Sequence, residues 1–504
     1  MGTSNGQSVT ADFGMPNGSF GTITGTIQNT APPQLLLTIM TSDPGTMVVS
    51  DNGMATLTLQ SCQVTIPHAW GQAQPPWGAS TYDSYNGVLC AAQPPTKGEC
   101  TVGDTNTCCR MKNLGCTTTA LAMALSVAGA DLNPGLLNDF IEVNNDYTST
   151  HDVQIEQTTS DVSLLTGGKA IYFDDTLRGE ASLLGADVPV MDDLKSALCN
   201  GHHAVIVTVA SYDAPCHPQA GLSPGGHYVL VTGEHDDTNG NPHFDIVDPG
   251  CVLGAPPLLP ITSLDVYNND FEIRGFVSDP SDVSQLEVWT DDSADLLVAD
   301  PGGNLTGFDR TAAVIKKEIP RSSYGQDFVS DNDTGQASGV THSINLFQPI
   351  QAAYQITVTG LKAGIYNLSI ASFSTDGTRQ PRALLAGIAA VASNSAFQVQ
   401  FSPTPGSVPS VSRIATFQST LADITNSLAL GLIDNAGIAN ALSQKIQAAS
   451  GATAEHESDD AREVLNAFKH QVNALTGKHI TGVAPQVLLE DADSLLSQLP
   501  LSSD

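Results

Sequence analysis

Three side chains in this 504-residue chain have settings suited to nucleophilic chemistry. Cys116 follows Gly115 at the mouth of a run, Thr117 to Ala128, that holds no proline, glycine or charge, and Gly129 closes it. That pattern predicts a buried helix with a thiol at its N-terminus. Unpaired N–H groups and the positive end of the helix dipole favour a thiolate there, the state in which cysteine attacks. The plainer alternatives for Cys116 are a small buried hydrophobe or half of a disulfide. Further on, the segment GGHYVLVTGEHDDTNGNPHFDIVDPG contains two strand-like runs, His227 to Gly233 and His243 to Asp248, joined by the turn-rich residues 236–240. They predict a hairpin. With a turn symmetric about Thr238 and Asn239, Asp248 lies opposite Val229 and diagonal to His227 on one face, roughly 7 Å or less away. A slip of one residue would send the two side chains to opposite faces, leaving a satisfied strand histidine and a strand-ending Asp-Pro turn.

Cysteine on a helix, then histidine and aspartate on successive strands, is what thiol acyl transfer requires. The histidine takes the thiol proton and later donates it to the leaving amine, while the aspartate fixes the tautomer and orientation of the ring. The motifs GCTTTALAM with the following Gly129, Pro134, Leu137 and Asn138, then GGHYVLVTG and FDIVDPG, stand in that order. Together they resemble the papain-like cysteine peptidases of the branch related to bacteriocin-processing peptidases, over about residues 62 to 262. The resemblance implies a papain-like fold and catalysis by Cys116, His227 and Asp248. It also implies an upstream glutamine that completes an oxyanion hole. Gln72 and Trp77 of GQAQPPW fit the Gln-x-x-x-x-Trp spacing, with Gln74 as the neighbouring alternative. Gly201, Val205, Ile206 and Val207 match a Gly-x-x-Val-Ile-Val centre, with Ala204 departing from it. A second departure is the cysteine-rich insertion CAAQPPTKGECTVGDTNTCC between Trp77 and Cys116, which bears on access to the site.

Composition narrows the partners. The net charge is −33, with 52 acidic residues against 19 Lys and Arg. Without a basic run, neither nucleic acid nor an anionic membrane is expected as a partner. No apolar stretch is long enough to span a bilayer. The first residues, MGTSNGQSVT, have neither a basic nor an apolar leader region, so no signal peptide is expected in this sequence. The nine cysteines all precede residue 252. Their odd number suits one free thiol plus disulfides, which points to a secreted, extracellular protein. A zinc site from Cys108, Cys109, Cys216 and His217 is the competing reading, but its spacing fits no metal knuckle. No cofactor and no metal are expected.

The elements that must position these groups fall into a multidomain α+β order. Residues 1–61 predict a small β region (propeptide, lid or added sheet), with Asn52-Gly53 as a hairpin turn. Residues 62–270 hold the peptidase-like region, including a helix ending near Gly201 and a strand from Ala204 to Ala210. His202 and His203 there are read as turn histidines, since adjacent strand side chains point to opposite faces. Residues 280–402 alternate apolar and polar residues between regular turns, predicting an all-β immunoglobulin-like sandwich. Asp331, Asn332 and Asp333 within it read as a turn rather than a calcium loop. A Pro/Ser linker near 402–412 precedes a small all-α helical domain, 413–504. Its segments IANALSQKIQAA, AREVLNAFKHQVNALTGKHIT and LLEDADSLL resemble the FIMAH domain of secreted bacterial proteins.

Two functions follow as expectations. One is a secreted thiol hydrolase cleaving peptide or isopeptide bonds of a protein or peptide substrate, with a peptidoglycan amidase as the alternative within that class. The other is a catalytically silent papain-like scaffold that binds at the cell surface, with the C-terminal domains engaging a cell-wall or extracellular polymer.

Overall fold

The computed structural model describes residues 2–4, 8–14, 20–28, 34–42, 49–58, 62–83, 110–148, 151–166, 169–181, 188–209, 227–236, 242–251, 262–267, 271–328 and 339–500. The insertion from residue 90 to 109, Cys216, His217 and the 331–333 turn lie outside these. The chain divides into two compact units, Met1–Gln63 and Val64–Asp504.

The first unit is one five-stranded antiparallel meander, β1 (Gly2–Ser4), β2 (Ser8–Gly14), β3 (Phe20–Gln28), β4 (Gln34–Ser42) and β5 (Val49–Thr58), paired in sequence order. The expected turn at Asn52-Gly53 does not form. Both residues lie inside β5, opposite Met40 and Ile39 of β4. A turn there would leave two short arms, whereas the straight strand keeps the whole of β4 paired.

In the second unit, helices α1 (Met111–Leu114), α2 (Cys116–Val127), α3 (Pro134–Asn144), α4 (Ile155–Val162) and α5 (Val188–Cys199) accompany an antiparallel sheet. Its order is β11 (Thr262–Ser263), β10 (Pro242–Val247), β9 (His227–Asp236), β8 (Val205–Val209), β12 (Phe271–Ser278) and β6 (Tyr172–Asp174), with β7 (Gly179–Ala181) also on β12. Helix α2 is buried from Cys116 through Ser126. It packs on β8, β9 and β12, as an all-round apolar and small-residue helix must if it is to leave water. Gly129, with φ +94, ends it in a conformation that suits glycine.

Two further antiparallel sheets form a sandwich. One runs β17 (Ser322–Asp327), β18 (Thr341–Phe347), β13 (Gln285–Thr290), β20 (Gly364–Phe373) and β21 (Ala383–Ala389). The other runs β16 (Val314–Lys317), β15 (Leu305–Asp309), β14 (Ala294–Ala299), β19 (Ala352–Gly360), β22 (Asn394–Phe401) and β23 (Ser410–Ile414). Val288, Ile344 and Leu368 of the first share one core with Val298, Ile356 and Val399 of the second. Strand β23 occupies the end of the Pro/Ser-rich stretch and carries the chain to helices α6 (Phe417–Ala429), α7 (Ala436–Ala454), α8 (Ser458–Leu475) and α9 (Ala484–Gln498). Thr416 caps α6 through a capping box with Ser419. Arg413 of β23 is buried and ties the helices down, donating to Asp491 at 2.6 Å and Asp423 at 2.7 Å.

The first sheet of the sandwich meets the peptidase-like region through buried polar groups. Trp289 donates to Gln154 at 2.6 Å, Thr341 to Asp152 at 2.7 Å, and Arg178 bridges Glu272 at 2.7 Å and Asp327 at 3.0 Å. Glu156, Asp175 and Glu287 are buried in the same zone, and burial pushes all three carboxyls up, Glu156 to about 7.

Candidate active site

Gly115 is the joint on which the site is built. A side chain there would run into the Met111 carbonyl at 2.5 Å and the Met111 side chain at 2.8 Å. Only glycine lets α1 turn directly into α2, and the turn leaves Cys116 as the first residue of α2. The N–H groups of a first helical turn have no acceptor within the helix. Cys116 is a free thiol, 3% exposed, whereas Cys62 and Cys199 are disulfide-bonded. The alternative of Cys116 as a disulfide partner is therefore removed.

His227 opens β9 and is fully buried. Its Nε2 lies 2.7 Å from Asp248 Oδ1, the ring and the Cys116 thiol stand close enough to shift each other's ionisation, and Nδ1 is the ring nitrogen not bonded to Asp248. The hairpin achieves this through an irregular register. Near its tip Pro242 pairs with Asp236 and Asp245 with Gly233, but Ile246 pairs with Val231 and Val247 with Leu230. Thr232 is thus an extra residue, a β-bulge, and its carbonyl accepts from Val64 N at 2.6 Å. The tip is one residue away from the symmetric turn expected from sequence. The bulge restores the phase, and the register carried one step further sets Asp248 against Val229, diagonal to His227.

Asp248 is 1% exposed and held at both oxygens. Oδ1 also accepts from Gly250 N at 2.8 Å, and Oδ2 accepts from the Tyr267 hydroxyl. Burial, then the Asp248 charge, pushes Tyr267 far above its ordinary value, so it stays a donor. The sequence reading missed Tyr267, and its segment carries no motif that would have revealed it.

The electrostatics favour separated charge. Burial opposes the imidazolium, but the charge and hydrogen bond of Asp248, with a further share from Cys116, raise His227 to about 10. Burial likewise opposes the thiolate. The hydrogen bond and charge of His227, the Tyr228 backbone and Thr117 together bring Cys116 below its ordinary 9.0. A thiol lowered beside a ring raised moves the pair toward thiolate and imidazolium.

Gln72 is 2% exposed. Its backbone N donates to Pro249 O at 3.0 Å, and its Nε2 donates to Lys112 O at 2.6 Å. It therefore lies between the turn after Asp248 and the turn before Cys116, with one amide hydrogen left over. Gln74 is only half-buried, and its contacts are within the local turn with Gly71 and Gly78. Trp77 anchors the strap through Nε1 to Gly71 O at 2.9 Å. His203 stacks on Phe276 and His202 adopts φ +54, a turn geometry.

The free thiol, the ring and the carboxylate are all buried, and the ring interacts with both of the others. Residues 104–251 match the Peptidase_C39 like family. The Peptidase_C39 like match spans Cys116, His227 and Asp248 and leaves out Gln72 and Tyr267. This part of the chain has a papain-like peptidase fold. Residues 418–497 match the FIMAH domain and coincide with α6 to α9, so the architecture is multidomain, with helices following the sheets. No curated protein and no solved structure matches the chain. Among the described residues, no helix is long and apolar enough to cross a membrane.

Proposed function

We propose that this protein is a thiol hydrolase that cleaves amide bonds of protein or peptide substrates through an acyl-enzyme. The observation that carries the reading is the buried His227–Asp248 pair at 2.7 Å, together with a Cys116 thiol that this ring lowers. In this reading the Cys116 sulfur attacks the substrate carbonyl carbon, and the carbonyl oxygen becomes an oxyanion stabilised by the Cys116 N–H and the spare Gln72 amide hydrogen. His227 passes its Nδ1 proton to the amide nitrogen as the C–N bond breaks, leaving a thioester on Cys116 and a free amine. The ring, now neutral, takes a proton from water. The hydroxide so formed displaces sulfur, and the acid product leaves. Asp248 stays charged throughout and holds the ring in register, and Tyr267 holds Asp248.

The disulfide-bonded Cys62 and Cys199 support an extracellular setting for this chemistry, with residues 62–270 as the peptidase domain, 280–402 as the sandwich and 413–504 as the helical domain. The test is an electrophilic peptide probe followed by intact-mass measurement, beside hydrolysis of a peptide library. One adduct, located at Cys116 and lost together with hydrolysis in Cys116→Ala, is expected. Hydrolysis that persists in Cys116→Ala overturns the mechanism, and absence of both adduct and turnover leaves the scaffold reading in its place.

A further inference from the structure

Away from Cys116, a cleft of about 680 Å³ opens where helix α3, the sandwich and helix α9 come together, within the range of ligand-binding cavities. Its wall has two guanidinium groups, Arg379 and Arg382, and no carboxylate, in a chain whose acidic residues outnumber its basic ones 52 to 19. The countercharges sit behind the wall. Arg379 meets Asp161 at 2.5 Å, and Arg382 meets Asp146 at 2.9 Å. Burial first, and the mutual repulsion of the two carboxyls next, lifts Asp161 to about 7, and burial lifts Asp146 as well. Asp146 is shared, lying 3.7 Å from Arg379 and 2.9 Å from Arg382, while Arg382 also donates to Asn145 O at 2.5 Å and keeps its buried Nε without a hydrogen-bond partner.

Besides Tyr147, whose hydroxyl donates to Asn138 Oδ1 at 2.8 Å, the remaining polar side chains on the wall include carboxamides already aimed by internal bonds. Asn144 donates to Phe140 O at 2.9 Å, Asn367 to Asp291 at 2.9 Å, and Gln486 to Glu490 at 2.8 Å. Each keeps an oxygen and a second N–H for a ligand, the complement of a peptide unit. Leu384, 68% exposed, adds an apolar edge. A sugar would want an open ring face, but Trp289 is 5% exposed with its Nε1 spent on Gln154, and Tyr147 is half-buried and packed edge-on with Tyr82 at 5.0 Å.

We propose that this cleft binds an extended peptide by its free C-terminal carboxylate, with Arg379 and Arg382 facing the carboxylate, the carboxamides the last peptide units and Leu384 an apolar side chain. The site stands apart from the chemistry at Cys116, so it is tested in the full chain carrying Cys116→Ala.

The probe is a fluorescein-labelled hexapeptide ending in leucine, read by anisotropy at low salt, beside its C-terminally amidated form and an unlabelled oligouronate competitor. The free acid should bind at least ~10-fold more tightly than the amide, the scale of one charge-assisted contact. Leu384→Glu, which touches neither buried ion pair, should weaken the free acid ~10-fold or more, while Leu384→Gln should change it little. Equal binding of acid and amide, indifference to Leu384→Glu, no binding at millimolar peptide, or displacement by oligouronate at concentrations below those at which the peptide binds would each overturn the proposal.

Discussion

The most searching test of the site is Asp248→Asn. His227 ionises at about 10 rather than 6.5 although it is fully buried, a difference worth about 5 kcal/mol at 1.36 kcal/mol per tenfold. The Asp248 charge is the leading contribution that overcomes burial. A carboxamide matches the carboxylate in shape, so the bonds to Gly250 and Tyr267 have acceptable replacements, but it has no charge. With only the smaller share from Cys116 left against burial, His227 should fall well below 10 and Cys116 should rise, shifting the pair back toward thiol and neutral ring. In the parent protein, alkylation should rise as Cys116 ionises below 9.0, while kcat/KM should in addition fall as His227 loses, near 10, the proton it gives to the leaving amine. The assay is the rate of iodoacetamide alkylation of Cys116 from pH 5 to 10, read beside kcat/KM for a cleaved peptide. Asp248→Asn should lower both at pH 7 by about 100-fold or more, as expected for loss of the group that fixes the protonated ring, and should remove the limb near pH 10. Parent-like alkylation at pH 7 with that limb still in place would refute the reasoning.

Gln72→Ala should reduce kcat by ~10²–10³ with KM nearly unchanged, the cost of one oxyanion donor, while Gln74→Ala stays close to the parent in steady-state kinetics. The carboxyls buried beneath the sandwich set a pH dependence of stability. Burial raises Glu156 and Asp161 to about 7 and moves Asp175 and Glu287 in the same direction, so the stability they contribute is complete below their ordinary values and lost as pH rises through about 7. Urea midpoints should fall from pH 5 to 8, and Glu156→Gln should flatten the slope by up to about 1.4 kcal/mol per pH unit. Arg413→Ala strands two buried carboxylates and should cost about 3–5 kcal/mol, seen as faster hydrogen exchange in residues 417–498 with Cys116 alkylation unaltered.

The parts of the site that could be read from sequence were those with local signatures. Helix α2 announced itself by an uncharged run between two glycines, and the strands of the hairpin by β-branched alternation. The phase of that hairpin could not be read, because it depends on a bulge at Thr232 whose carbonyl is satisfied by Val64, a residue far away in the chain. Tyr267 was invisible for the same reason, since its value comes from a bond to Asp248 made across the fold. Nothing local to Glu156, Asp175 or Glu287 marks them as buried, because their burial comes from elements far apart in the chain packing together. Asn52-Gly53 shows the opposite failure, a strong local turn signal overridden by the pairing of β5 along β4. In Ser410–Ile414, serine-rich composition hid a strand whose one arginine anchors the helices.

The supernumerary Thr232 has an evolutionary consequence. Removing that one codon would make Val231–Ile246 and Gly233–Asp245 consecutive pairs of one regular ladder, so His227 and Asp248 would keep their facing positions while the tip of the hairpin turned its faces over relative to them. A lineage carrying such a deletion would keep its three reactive side chains together and change what the hairpin tip and the Val64 segment meet, so the length of β9 tunes the surroundings of the site and leaves its chemistry in place.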